Sequence, residues 1–157
     1  MIKKKFIVIL YIFFTSCGFQ PILKGINTDT ITIKKINYSG DNKLTYLLQS
    51  NLGFVEKQNS NGYIIDLNIA ERTESITKDS SGITKEEEIT VDLFYIIKDH
   101  NKDILNQEKI SEKAKVVLTE SISADETYKQ NEKIRLIEMI SQKLKIKLLI
   151  LNNKDQK

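Results

Sequence analysis

In two runs, Tyr63 to Ile69 and Ile89 to Ile97, an apolar residue recurs at every second position. That spacing belongs to a strand with one face in a core and the other in water. Tyr63, Ile65, Leu67 and Ile69 alternate with Asp66, Asn68 and Ala70, and Ile89, Val91, Leu93, Tyr95 and Ile97 alternate with Thr90, Asp92 and Lys98. The joints Lys78-Asp79-Ser80-Ser81-Gly82 and Asp99-His100-Asn101-Lys102-Asp103 are rich in turn formers, which predicts an antiparallel meander ending near Thr119. Its last strand is the least marked: Glu108 to Lys115 is mostly charged, and only Val116, Val117 and Leu118 support it.

Other periods flank the meander. The β-branched residues from Thr30 to Tyr38 predict a first strand. Gly40-Asp41-Asn42 then supplies cap chemistry, and Leu44, Leu47, Leu48 and Leu52 lie at helical spacing before Gly53, which predicts a helix over 42–52. After the meander, Ser123-x-x-Glu126 matches a capping box. The long helix it opens carries Ile134, Ile137, Ile140, Leu144, Leu148 and Leu151 on one face, with Leu136, Ile146 and Ile150 off that stripe and Lys145 facing water. The alternation Lys143-Leu144-Lys145-Ile146-Lys147 would also suit a strand. The order β-α-β-β-β-α predicts an α+β, two-layer sandwich: a four-stranded, mainly antiparallel sheet with both helices on one face.

The first 16 residues read as an address. Lys3, Lys4 and Lys5 precede an apolar run from Phe6 to Phe14, nine residues long against the roughly 20 a membrane-spanning helix needs, so it reads as a signal-peptide core. Thr15 and Ser16 follow, then Cys17, the only Cys. This resembles a bacterial lipobox, with Phe14 where Leu is usual, and implies that Cys17 carries the lipid and becomes the mature N-terminus. An ordinary buried Cys behind a secretory signal is the alternative. In lipoprotein sorting Asp after the Cys retains a protein in the inner membrane. Gly18 in that place implies the outer membrane. The chain then divides into a signal at 1–16, a lipidated tether at 17–29, a domain at 30–151 and a polar tail at 152–157.

Without residues 1–16, and so without Lys3, Lys4 and Lys5, the basic count falls from 24 to 21, equal to the 21 acidic residues. The mature part lacks the basic excess of a nucleic-acid binder. One Cys serves neither a disulfide nor a Cys-ligated zinc site. His100, the only His, stands in a turn without a partner nucleophile. Asp99-x-Asn101-x-Asp103 opens like a calcium loop, but Ile104 and Ile110 occupy the places that need Gly and Glu. Glu86-Glu87-Glu88 is an acidic run with no apolar pocket implied around it. No phosphate loop or nucleophile elbow occurs, so the expectation is a protein without catalytic residues, metal or cofactor.

Cys17-Gly18-Phe19-Gln20-Pro21-Ile22-Leu23 resembles the mature start of the LPS-assembly lipoprotein family LptE, and the element order above is similar to that family's. The resemblance implies an outer-membrane lipoprotein on the periplasmic side that helps the LPS-export β-barrel assemble, plugs its lumen and contacts lipopolysaccharide. It implies contacts from basic residues near the tip of the hairpin joining the second and third strands and near the start of the last helix. Ser80 and Ser81 stand at that tip, so Lys78, Lys85 and Lys129 are the candidates here. Two other classes stay open: a lipid-anchored accessory subunit of an envelope transport complex carrying another lipid, and a lipid-anchored hydrolase.

Overall fold

A computed structural model describes residues 31–58, 61–119 and 121–155. The elements are β1 (Ile33–Gly40), α1 (Asn42–Leu52), β2 (Tyr63–Lys78), β3 (Thr84–Lys98), β4 (Ile104–Val117) and α2 (Ile122–Asp155). The strands form one open sheet in the order β1-β2-β3-β4, with β1 parallel to β2 and the other neighbours antiparallel. Both helices lie on one face, so the two-layer α+β expectation holds.

Local chemistry explains the boundaries. Asp41 caps α1, its Oδ1 accepting from the backbone N–H groups of Lys43 (2.9 Å) and Leu44 (3.0 Å). Gly53, at φ 59°, closes the helix by donating its N–H to the Gln49 carbonyl. β1 begins at Ile33 rather than Thr30 and ends at Gly40, whose φ of 104° turns the chain off the sheet edge.

The capping box at Ser123 and Glu126 does not form. Ser121 is the cap: its carbonyl accepts from Asp125 N–H at 3.0 Å and its Oγ from Ala124 N–H at 3.4 Å. Ser123 therefore lies within the first turn. The carboxylate that reaches back is Asp125, which takes the Thr119 N–H and hydroxyl because the chain reversal after β4 carries Thr119 over the helix end.

One core joins the layers. Leu44, Leu48 and Leu52 of α1 and Leu136, Ile137, Ile140, Leu144 and Leu148 of α2 close on Ile65, Leu67, Ile69, Ile89, Val91, Leu93, Tyr95, Ile97, Ile110, Ala114 and Val116 of the sheet. Leu136 corrects the sequence reading. It is fully buried, and it lies one heptad before Lys143, on the side of α2 that meets β4. Ile146 and Ile150 do face outward, and Ile134 and Leu151 lie at the margins. Lys145 does not face open water: its ammonium donates to the Asn51 carbonyl in the last turn of α1, at 2.9 Å. Residues 143–147 are helical, and α2 continues to Asp155, into the segment read as a tail.

The charged strand β4 is also accounted for. Its inward Glu108 and Glu112 take Lys147 and Lys143 of α2, while on the open face Lys109 reaches Asp92 and Lys113 reaches Glu88. Charges at both faces replace the usual alternation, which is why periodicity marks this strand so faintly.

Candidate functional site

β2 and β3 outrun the rest of the sheet. β1 stops where Gly40 lies opposite Ile69, and from Ala70 to Lys78 every residue of β2 is exposed. The hairpin continues to a tight turn in which the Asp79 carboxylate accepts from the N–H groups of Ser81 (2.9 Å) and Ile83 (3.0 Å), and Gly82 adopts φ 82°. The hydrogen bond from Ile83, with help from Ser81 and Lys85, holds the Asp79 carboxyl below the usual carboxylate range.

Two of the three lysines singled out in the sequence lie at this end. Lys78 ends β2, and Lys85, in β3, places its Nζ 3.6 Å from Asp79 Oδ2. The same end of the sheet carries exposed apolar side chains: Ile83 is 59 % exposed, Val117, on the open face opposite Glu86, 63 %, and Ile122, at the start of α2, 81 %. The Leu118 N–H donates to the Lys85 carbonyl at 2.8 Å, which fastens the approach to α2 against the hairpin. The distal end therefore carries both ammonium groups and exposed hydrocarbon.

Lys129 lies further in. Its Nζ is 2.8 Å from Glu87 and 3.5 Å from Glu126, and one turn along α2 Lys133 is 2.6 Å from Glu71. The hydrogen bond to Glu87 raises the Lys129 pKa above its ordinary value, so the group stays charged. The acidic run at β3's start divides its work: Glu86 accepts from the Thr77 hydroxyl, Glu87 holds Lys129, and Glu88 holds Lys113, whose hydrogen bond lowers the Glu88 carboxyl. No local pattern in the sequence links Glu87 to Lys129. The only hint is that alternation turns polar on both faces of β2 after Ile69.

The other candidates are dispersed. Cys17 and the signal segment lie outside the described residues. His100 is exposed at the opposite end of the sheet, in a turn where Asp99 Oδ1 accepts from the N–H groups of Asn101 and Asp103, both at 2.8 Å. Asp99 is thus spent on its own backbone. Among the described residues no group of three His, Cys, Asp or Glu converges as a metal site, and no helix is long and apolar enough to cross a membrane. On the open face of the sheet a groove of about 310 Å³ runs past Ser39, Asn68, Phe94, Ile96 and Gln107, with the Lys109 ammonium 5.2 Å from the Phe94 ring centre.

No protein-family model and no curated protein matches the chain. Solved structures do. A candidate lipoprotein from Caulobacter crescentus CB15 aligns with a TM-score of 0.55 at 14 % identity, over 79 % of this chain and 92 % of that one. An uncharacterized lipoprotein B from Nitrosomonas europaea aligns with 0.56 at 10 %, over 73 % and 81 %. Rare lipoprotein B from Shewanella oneidensis aligns with 0.50 at 12 %, over 78 % and 96 %. At these identities the likeness is one of fold: the chain shares its α+β architecture with these lipoproteins.

Proposed function

We propose that the chain is an outer-membrane lipoprotein, lipidated at Cys17 on the periplasmic side, that helps the LPS-export β-barrel assemble, plugs its lumen and assists delivery of lipopolysaccharide. The observation that carries this reading is the distal end of the hairpin, which Lys78 and Lys85 share with exposed Ile83, Val117 and Ile122. A phosphorylated glycolipid offers the complementary chemistry, anionic phosphates next to acyl chains. Lys78 and Lys85 are the outer contacts, and Lys129, oriented by Glu87, is the inner one. The role needs no catalytic group and no cofactor. The fold likeness to rare lipoprotein B, the Cys17–Leu23 segment and Gly18 after the Cys all support it.

Photo-crosslinking from Ser81 in the anchored protein tests the reading. Adducts to a large outer-membrane β-barrel or to lipopolysaccharide are expected. Adducts confined to inner-membrane transport components would overturn it in favour of an accessory lipoprotein. Changing Lys78, Lys85 and Lys129 together to Glu should weaken lipopolysaccharide binding while barrel association persists, since the barrel contact draws on a wider surface.

A further inference from the structure

Beyond Ile69 the outer edge of β2 has no strand against it among the described residues. The Ile69 carbonyl accepts from Asp41 N–H at 3.1 Å, so the odd-numbered residues of β2 turn their peptide groups towards this edge. Glu71, Thr73 and Ser75 therefore offer both N–H and C=O outward. Edges of this kind are usually blunted by Pro, bulges or runs of like charge. Ala70 to Lys78 contains neither Pro nor Gly, and its bulges fall only after Ser75. The outer strand at the opposite side of the sheet, β4, carries Lys109, Lys113 and Lys115 on one face. A cleft of about 750 Å³ between the first turn of α1 and Glu126, Gln130 and Lys133 of α2 leaves the root of the β2 edge uncovered.

We propose that this edge pairs with a second copy of the chain, the two β2 strands running antiparallel about a two-fold axis at Thr73 and continuing the sheet. The pattern around Thr73 is self-complementary. In this register Thr73 meets Thr73, Arg72 meets Glu74, Ala70 meets Ile76 and Glu71 meets Ser75 of the other copy. On the open face every cross-strand pair joins apolar with apolar or basic with acidic, the combinations that stabilise antiparallel pairs. Arg72 and Glu74 are largely exposed, their side chains 53 % and 67 %, and their contacts within the chain, 3.7 Å to each other and 3.9 Å from Arg72 to Asp92, are long surface pairs that the other copy's charges can share. Sliding the register either way sets Glu74 against Glu74 or Arg72 against Arg72, so charge selects the alignment. The interface is isologous, as a closed dimer requires. A single short edge falls below the size of a permanent interface, so the association is reversible. It needs neither barrel nor lipid and stands apart from the transport role.

Sedimentation velocity over a range of concentrations tests it, using the chain from Gly18 onward, which contains every core residue among the described residues. A reversible monomer–dimer equilibrium is expected. Arg72→Glu and Glu74→Arg should each weaken it by about tenfold or more, since each creates two like-charge pairs. Combining them should restore dimerisation, because the swapped pattern is again self-complementary. Thr73→Pro removes an outward donor in each copy without breaking the β2–β3 ladder and should abolish the dimer. A wild-type chain that stays monomeric throughout, association indifferent to the single reversals, or a double variant no better than the singles would each overturn the proposal.

Discussion

The backbone of Gly40 passes so close to that of Ile69 that a Cβ at position 40 would lie 2.0 Å from the Ile69 carbonyl oxygen. The same glycine holds φ 104°, which L side chains rarely adopt. Gly40→Ala should therefore cost about 2–4 kcal/mol in urea unfolding, through clash and strain together. Gly53→Ala serves as the comparison, since nothing lies within 4 Å of a Cβ there and only the left-handed backbone is penalised, by about 1 kcal/mol. Equal losses would mean that β1 does not end against Ile69.

The contact between Lys145 and the Asn51 carbonyl joins the two helices at a C-terminal end, where a cation also meets the favourable pole of the helix dipole. Lys145→Ala should lower stability by about 1–2 kcal/mol. Leu144→Ala, in the core, should cost about 2–5 kcal/mol. Glu138→Ala, on the outer face of α2, should stay within about 0.5 kcal/mol of wild type. A silent Lys145→Ala would show that the bridge is not made in solution.

The two hairpin turns share one design, with Asp79 and Asp99 each gathering two backbone N–H groups. They differ at the left-handed position, which is Gly82 in one and Lys102, at φ 75°, in the other. Lys102→Gly relieves that conformation and should raise stability by about 0.5–1 kcal/mol in thermal unfolding. A loss instead would show that the Lys102 side chain makes a compensating contact.

Stability should fall in acid for an identifiable reason. The Asp66 carboxyl is held below its ordinary range, first by the hydrogen bond from Asn37 Nδ2 (2.6 Å) and then by that from Lys98 Nζ (2.6 Å). A carboxyl with a depressed folded-state pKa contributes stability above its unfolded pKa and loses that contribution as pH falls through the folded value. Asp66→Asn should therefore narrow the difference in urea midpoint between about pH 7 and about pH 3. An unchanged difference would place the acid sensitivity elsewhere.

Elements whose residues face one environment were legible from spacing alone. Ile65 to Ile97 on the sheet and Leu44 to Leu52 on α1 behave as their periods require. Where two neighbours share an element, period is a poorer guide: Leu136, off the stripe, is fully buried, and Lys145 is drawn to a backbone carbonyl that no local pattern announces. Hydrogen bonding, not sequence motif, decided the cap between Ser121 and Ser123. Of the candidate site, turn residues located the hairpin tip, and it was the family resemblance that pointed to Lys78 and Lys85 beside it. The pairing of Lys129 with Glu87 depends on how α2 crosses the sheet, which periodicity does not encode.

The packing of α1 against α2 brings residues separated by 94 positions into contact, near the two ends of the described chain. A polypeptide emerging N-terminus first can zip its meander as it appears, because those pairings are local. The apolar underside of β3 and β4, however, stays bare until the last helix is released. This gives the nascent chain a long window in which Leu93, Tyr95 and Ile97 are open to water or to a chaperone, and it makes loss of the C-terminal turns a defect of maturation as much as of final stability.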